Sequence, residues 1–280
     1  MFEYTRENLR KLQLVELEML VELDRLCRKH NIKYIIDAGT LLGAVRHNGF
    51  IPWDDDIDIR MLRSDYDKFC QVCKQELAEE FFLQNHDTDS EYMWGYARIL
   101  RKDTKYVRVN HEAIKSKTGI FIDIFPNDTL PDNCIMAKVY TILTWLCRKM
   151  LYSGIGKKYG KSLIDRIGFY ILDLLPKEGA HIILRYLVNL YRDSDSQKVR
   201  CYGWGSKEET KGFQRVWLEN TTDISFEGRI VRAPIDTVDF LIFSFGKEYM
   251  TPPPESKRVP GHLATEICFP NQGREINEKE

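Results

Sequence analysis

This 280-residue chain has no uninterrupted apolar run of about 18 residues, so no membrane-crossing helix is expected. Net charge is also nearly absent: 41 lysines and arginines face 42 aspartates and glutamates, for a formal −1. Such a balance supplies no global field to draw the protein onto nucleic acid, and any phosphate must be met by local groups. Cysteine is sparse, seven in all, odd in number and without regular spacing. That excludes a disulfide framework and points to reduced thiols in a cytosolic compartment. Cys70 and Cys73 form a close pair inside a predicted helix, but no second pair lies in range and a zinc site is not expected. The opening residues Met1 to Glu7 are too polar for a secretory leader. There is no internal repeat and no low-complexity tract beyond Pro252-Pro253-Pro254.

What is present reads as a mixed α/β chain. Leu12, Val15, Met19, Leu23 and Leu26 recur at spacings of three and four, which predicts an amphipathic helix from Arg6 to His30 packed on a sheet. Lys33 to Asp37 reads as a buried strand, Gly39-Thr40 as a turn into a short helix, and Asp54 to Met61 as the next strand. Ser64 is placed to cap a helix running towards Glu79. Further strands are expected at Tyr96 to Arg101, Lys105 to Val109 and Gly119 to Phe125, the last stopped by Pro126. From Asn133 to Arg192 three helices are expected, broken near Gly154-Ile155-Gly156, Gly160 and Pro176. The remainder returns to mixed structure, with strands at Phe213 to Leu218 and Arg229 to Arg232, a helix at Ile235 to Phe245 and a polar, frayed tail from Asn271. Three parts follow: a core over 1–130, a helical insertion over 131–195, and a C-terminal part over 196–280 that completes the core and the acceptor side.

Chemistry concentrates in Ile51-Pro-Trp-Asp-Asp-Asp-Ile-Asp-Ile59. Alternate side chains of a strand share a face, so Asp54, Asp56 and Asp58 point together and Asp55 points away. Four aspartates in five positions repel one another strongly, and a divalent cation relieves that repulsion. Oxygen-only ligands suit Mg²⁺, or Mn²⁺, with Asp56 and Asp58 as the gripping pair. A solvated aspartate turn is the plain alternative; the flanking Ile51, Trp53, Ile57 and Ile59 oppose it. Gly39 leaves the strand-to-helix turn open to a phosphate, with amides from Thr40 onward as donors. Arg46 and His47 end that helix and either reach the anion or serve as ordinary C-terminal charges. Asp123, alone in the apolar run Phe121 to Phe125, completes the metal shell, accepts a proton from an attacking hydroxyl, or pairs with Arg98 or Arg101. Arg98 is the best phosphate candidate of its basic stretch, and His262 is a candidate binding residue in a loop. Ile135 to Tyr152 fits a core helix first and a membrane-surface helix second. Tyr140, Trp145, Tyr152 and Tyr159 are candidates for an acceptor-side aromatic surface.

The segment Gly39-Thr-Leu-Leu-Gly-Ala-Val-Arg-His47, with the aspartate run that follows it, closely resembles the LicD family. Agreement extends through Asp65 to Phe69, Gly119 to Pro126, and a C-terminal block holding Pro234, Asp239, Phe245-Gly246 and Tyr249 to Pro253. The resemblance implies a nucleotidyltransferase-like mixed sheet flanked by helices. It implies a Mg²⁺-dependent phosphotransferase that moves a phospho-alcohol, phosphocholine first, from a CDP-alcohol such as CDP-choline to an oligosaccharide or lipid-linked glycan acceptor, releasing CMP. Animal relatives such as fukutin-related protein use CDP-ribitol. By the same analogy Gly39 and Thr40 take the phosphate turn, Asp56 and Asp58 the metal pair, and Asp123 the third acidic position. Arg60 and Leu62 depart from the family pattern, and that departure bears on the alcohol. The implied setting is the cytoplasm, with peripheral contact at the inner face of the membrane. Two rivals stand beside this reading: an NTP-dependent nucleotidyltransferase, and a catalytically silent nucleotide- or glycan-binding protein.

Overall fold

A computed structural model describes residues 1–270; the predicted frayed tail from Asn271 lies outside them. The chain opens with α1 (Arg6–Lys29), β1 (Ile35–Ile36), α2 (Ala38–His47), β2 (Asp58–Leu62) and α3 (Arg63–Glu76). There follow β3 (Phe81–Gln84), β4 (Ala97–Arg101), β5 (Lys105–Arg108) and β6 (Phe121–Thr129). A helical stretch, α4 (Cys134–Tyr159), α5 (Leu163–Asp173) and α6 (Lys177–Leu190), leads to β7 (Lys198–Arg200), α7 (Lys207–Lys211), β8 (Phe213–Gln214) and α8 (Val216–Glu219). The chain continues through β9 (Thr221–Phe226), β10 (Arg229–Pro234), α9 (Thr237–Phe245) and β11 (Ala264–Cys268).

The principal sheet runs β1-β2-β6-β4-β3, parallel between β2 and β6 and antiparallel elsewhere, with β7 and β8 added beyond the end of β4. The fold is thus a mixed α/β one, as expected. α1 buries its predicted stripe, Leu12, Met19, Leu23 and Leu26 being inaccessible, in the same core as Ile59, Ile99, Ile122 and Ile124 of the sheet. Two small ladders, β9 with β10 and β5 with β11, flank the main sheet; the second ties residues 264–268 back to residues 105–108.

Several local expectations shift. Asp54 to Ile57 form an irregular segment, and β2 begins only at Asp58. Ser64 lies inside α3, whose N-cap is Leu62. Pro126 does not end β6. Asp123 donates its N–H to Ile57 in the β2 direction, so the even-numbered nitrogens of β6 face β4. The β4 pairing ends at Ile124 and β7 joins only at Asp128, leaving Pro126 at a gap where no N–H is needed. Gly154 and Gly156 do not break α4; Gly156 instead admits the Phe169 ring of α5, which a Cβ there would strike. Residues 216–219 turn helical, and β3, β7, β9 and β11 were not anticipated.

Candidate active site

The predicted turn is built under strain. Asp37 caps α2 in extended conformation, and Ala38 then takes φ +44°, a left-handed position unusual for a residue bearing Cβ. The Asp54 carboxylate lies against Gly39; an added Cβ would stand 2.5 Å from Asp54 Oδ2, so the carboxylate would have to shift. The Asp54 carboxylate is thus the group that approaches Gly39 in this structure. The Thr40 hydroxyl is turned to the backbone, accepting the Asp58 N–H at 2.9 Å, and so positions the first residue of β2.

The acids do not behave alike. Asp55 is buried and anchored, accepting the backbone N–H groups of Gly261 at 2.7 Å and His262 at 3.0 Å. Tyr106 and Tyr4 both donate to the His262 carbonyl, at 2.7 and 2.8 Å, fixing that loop on the aspartate segment. In consequence His262 Nδ1 stands 3.1 Å from Asp56 Oδ2, too poorly aligned for a hydrogen bond. Against the effect of burial, His262, Arg108 and the Asp54 carboxyl hold Asp56 below the usual carboxylate range. Asp54 and Asp58 move the other way: burial first, then neighbouring negative charge led by Asp56, pushes both carboxyls well above it.

Sequence reasoning missed two members of this cluster. Glu16 is buried on α1 with Oε2 unpartnered, and burial followed by Asp56, Asp55, Asp54 and Asp58 drives its carboxyl well above the ordinary value. Its signal was available: Glu16 falls four residues after Leu12 and three before Met19, a charged group on the core-facing stripe. The adjacent Gln13 donates to the Asp54 carbonyl at 2.9 Å. Arg108 on β5 acts electrostatically on Asp56, Tyr96, Tyr152 and His111, and among the described residues it forms no ion pair.

Asp123 and Arg98 come together in the structure. They face each other across β6 and β4, and Arg98 donates through Nε at 2.5 Å and through Nη2 at 3.4 Å to the two Asp123 oxygens. The arginine also lies 3.8 Å from the Phe121 ring centre. Of the roles open to Asp123, pairing with Arg98 is the one present. Both members of that pair are buried. Asp58 lies beside Asp123 in the β2–β6 register, so the pair borders the acid cluster. Arg46 reaches the Tyr249 carbonyl at 3.1 Å and feels the charge of Asp54, whereas His47 is exposed and accepts from Arg46 Nε at 3.0 Å. Arg60, the departure from the family pattern, is buried by Asp37, Asn127 and Glu209 at 2.6 to 2.8 Å and clamps the fold.

The cluster's excess of carboxyl groups, its orphaned Glu16 oxygen and the unaligned Asp56–His262 contact all fit a bound divalent cation. Among the described residues, Asp55, Asp56 and His262 bring ligand atoms within 4.8 Å of one another. Asp55 is already committed to the loop amides, which leaves Asp56, with Asp58 beside it and His262 adjacent, as the groups able to hold an ion. Beyond Arg108 and Tyr96 lies an open groove of about 320 Å³ lined by Trp94, Trp145, Tyr152, Trp204, Arg148 and Lys149, among others.

Comparison with known proteins bears on this geometry. Residues 31–149 match the LicD/FKTN/FKRP nucleotidyltransferase domain. That span holds Asp56, Asp58, Asp123 and Arg108 but neither Glu16 nor His262. The chain is 28% identical over 265 residues to the lipopolysaccharide cholinephosphotransferase LicD of Haemophilus influenzae, covering 91% of this chain and 96% of that protein. An uncharacterised protein of Rickettsia typhi is 48% identical over 116 residues, which is 41% of this chain and 35% of that protein. Another from Rickettsia prowazekii is 28% identical over 135 residues, 40% of this chain and 50% of that protein.

Proposed function

Since this chain belongs to the LicD family, we propose that it is a phosphotransferase that moves a phospho-alcohol, phosphocholine first, from a CDP-alcohol to a hydroxyl of a glycan such as lipopolysaccharide or its lipid-linked precursor. The observation that carries this reading is the pair Asp56 and Asp58, half-buried and without a lysine or arginine partner among the described residues, while the charge of Arg108 acts on Asp56. Mg²⁺, or Mn²⁺, held by these two carboxylates would neutralise charge on the donor's phosphoryl oxygens. Arg108 supplies a further positive group for the transferring phosphate, and the aromatic groove offers apolar faces to the alcohol or the acceptor sugar. His262, set by Asp55 and the two tyrosines, stands beside Asp56 as a further group able to reach the ion. Asp123 and Arg98 keep the floor of the site rigid.

On this reading the enzyme works in the cytoplasm, at the inner face of a membrane where a lipid-linked acceptor is assembled. Incubation with Mg²⁺, an acceptor and a panel of CDP-alcohols is expected to release CMP, detected by chromatography. Pyrophosphate from an NTP in place of CMP would make the protein a nucleotidyltransferase. Saturable nucleotide binding with no turnover across the panel would make it a binding protein.

A further inference from the structure

α5 is anomalous for a globular protein: none of its residues is buried, although seven of its eleven residues are apolar or aromatic. Ile164 is 81% exposed and Leu163 73%, and Leu174, just past the helix, is 70% exposed. Exposed Ile167 and Ile171 complete a helical stripe with Ile164. On the first half of α4 a second stripe, Ile135, Val139, Ile142 and Trp145, is exposed at spacings of four and three. Continued along α4, that stripe reaches Lys149, Tyr152 and Gly156, the positions that Phe169 of α5 covers. The outer side of α5 therefore extends the outer side of α4, making one apolar surface larger than isolated exposed residues produce.

Charge identifies what covers it. Although the whole chain is −1, residues 134–177 hold eight lysines and arginines against two aspartates. Both aspartates are spent: Asp165 closes the capping box of α5 with Ser162, and Asp173 pairs with Lys157 and Lys177. Lys138, Lys149, Lys158, Lys161 and Arg166 have no carboxylate partner among the described residues. Apolar stripes fringed by free cations have the composition of helices that lie in the headgroup region of an anionic bilayer. A second copy of the chain fits poorly, because a two-fold contact would set this cationic surface against itself. No helix among the described residues is long and apolar enough to cross a membrane.

We propose that the outer face of α4 and α5 docks in the plane of an anionic lipid surface, with α5 inserted at the headgroup level. Trp145 belongs both to this face and to the aromatic groove, so docking brings the groove mouth to the bilayer. The inference deepens the membrane placement proposed above, and its test needs no turnover, so loss of CMP release and loss of lipid binding fail separately.

Flotation of the full chain with phosphatidylcholine vesicles, with and without 30% phosphatidylglycerol, tests it. Binding to the anionic vesicles is expected, with much weaker binding to the neutral ones and weakening by 0.5 M NaCl. The exposed double variant Ile164→Ser/Ile171→Ser should bind about tenfold less and Lys158→Glu/Lys161→Glu similarly less, both with unchanged far-ultraviolet circular dichroism. Absence of flotation with anionic vesicles would overturn the proposal, as would equal binding to both vesicle types or indifference to the substitutions. Sedimentation showing a dimer that Ile164→Ser/Ile171→Ser dissolves would assign the face to a second copy instead.

Discussion

At the residue scale, the four aspartates of one short segment divide their work according to what surrounds each. Asp55 accepts backbone amides and serves the fold; Asp54 lies on Gly39; Asp56 and Asp58 are the groups left for an ion. Asp56→Ala and Asp58→Ala should each lower CMP release by about a thousandfold or more while the melting temperature without metal holds or rises, because each removes repulsion in a crowded acid cluster. Normal turnover by either variant would remove that residue from the site. Arg108→Ala should cost about a hundredfold in kcat/KM, with partial recovery in Arg108→Lys. Gly39→Ala should be worse than its size suggests, since the new Cβ displaces Asp54 and with it the acid segment; a fall in stability of about 1–3 kcal/mol by chemical denaturation is expected.

At the element scale, the informative contacts are between segments remote in sequence. α6 meets the loop after β3 through His181, stacked on His86 with ring centres 3.6 Å apart. Burial, then the charge of His86, lowers the His181 pKa to about 4. A histidine depressed in the folded state contributes stability that is intact above its ordinary value of 6.5 and is lost as pH falls towards about 4, because the unfolded chain takes up the proton first. Melting curves of the wild type and His181→Asn across pH 7 to 4 should therefore converge as pH falls, the wild type losing more. The same scale explains why some elements were readable and others were not. α1 carries its heptad-like stripe in its own sequence, whereas β3, β7 and β11 are short segments stabilised by partners elsewhere in the chain. Pro126 misled because proline forbids a strand only where a neighbour needs its N–H, and strand order decides that.

At the scale of the whole molecule, the site is a junction of α1, the aspartate segment, β5 and the loop before β11. Binding of a cation that bridges such parts in the folded state alone must stabilise it by mass action, about 2.7 kcal/mol at a hundredfold excess over Kd. Mn²⁺ or Mg²⁺ should accordingly raise the melting temperature of the wild type by a few degrees and leave Asp56→Asn/Asp58→Asn unmoved.

The aspartate run, the Gly39 turn and the amphipathic α1 are legible in sequence because their physics is local: strand and helix periodicity, like-charge repulsion and a missing Cβ all act within a few residues. The tertiary structure alone decided that His262 would be delivered to Asp56 by Asp55, and that of the arginines near Asp123 it is Arg98 that pairs with it. Those outcomes depend on strand order and on which helix face meets the sheet, and pairing energies between distant residues leave no periodic trace along the chain.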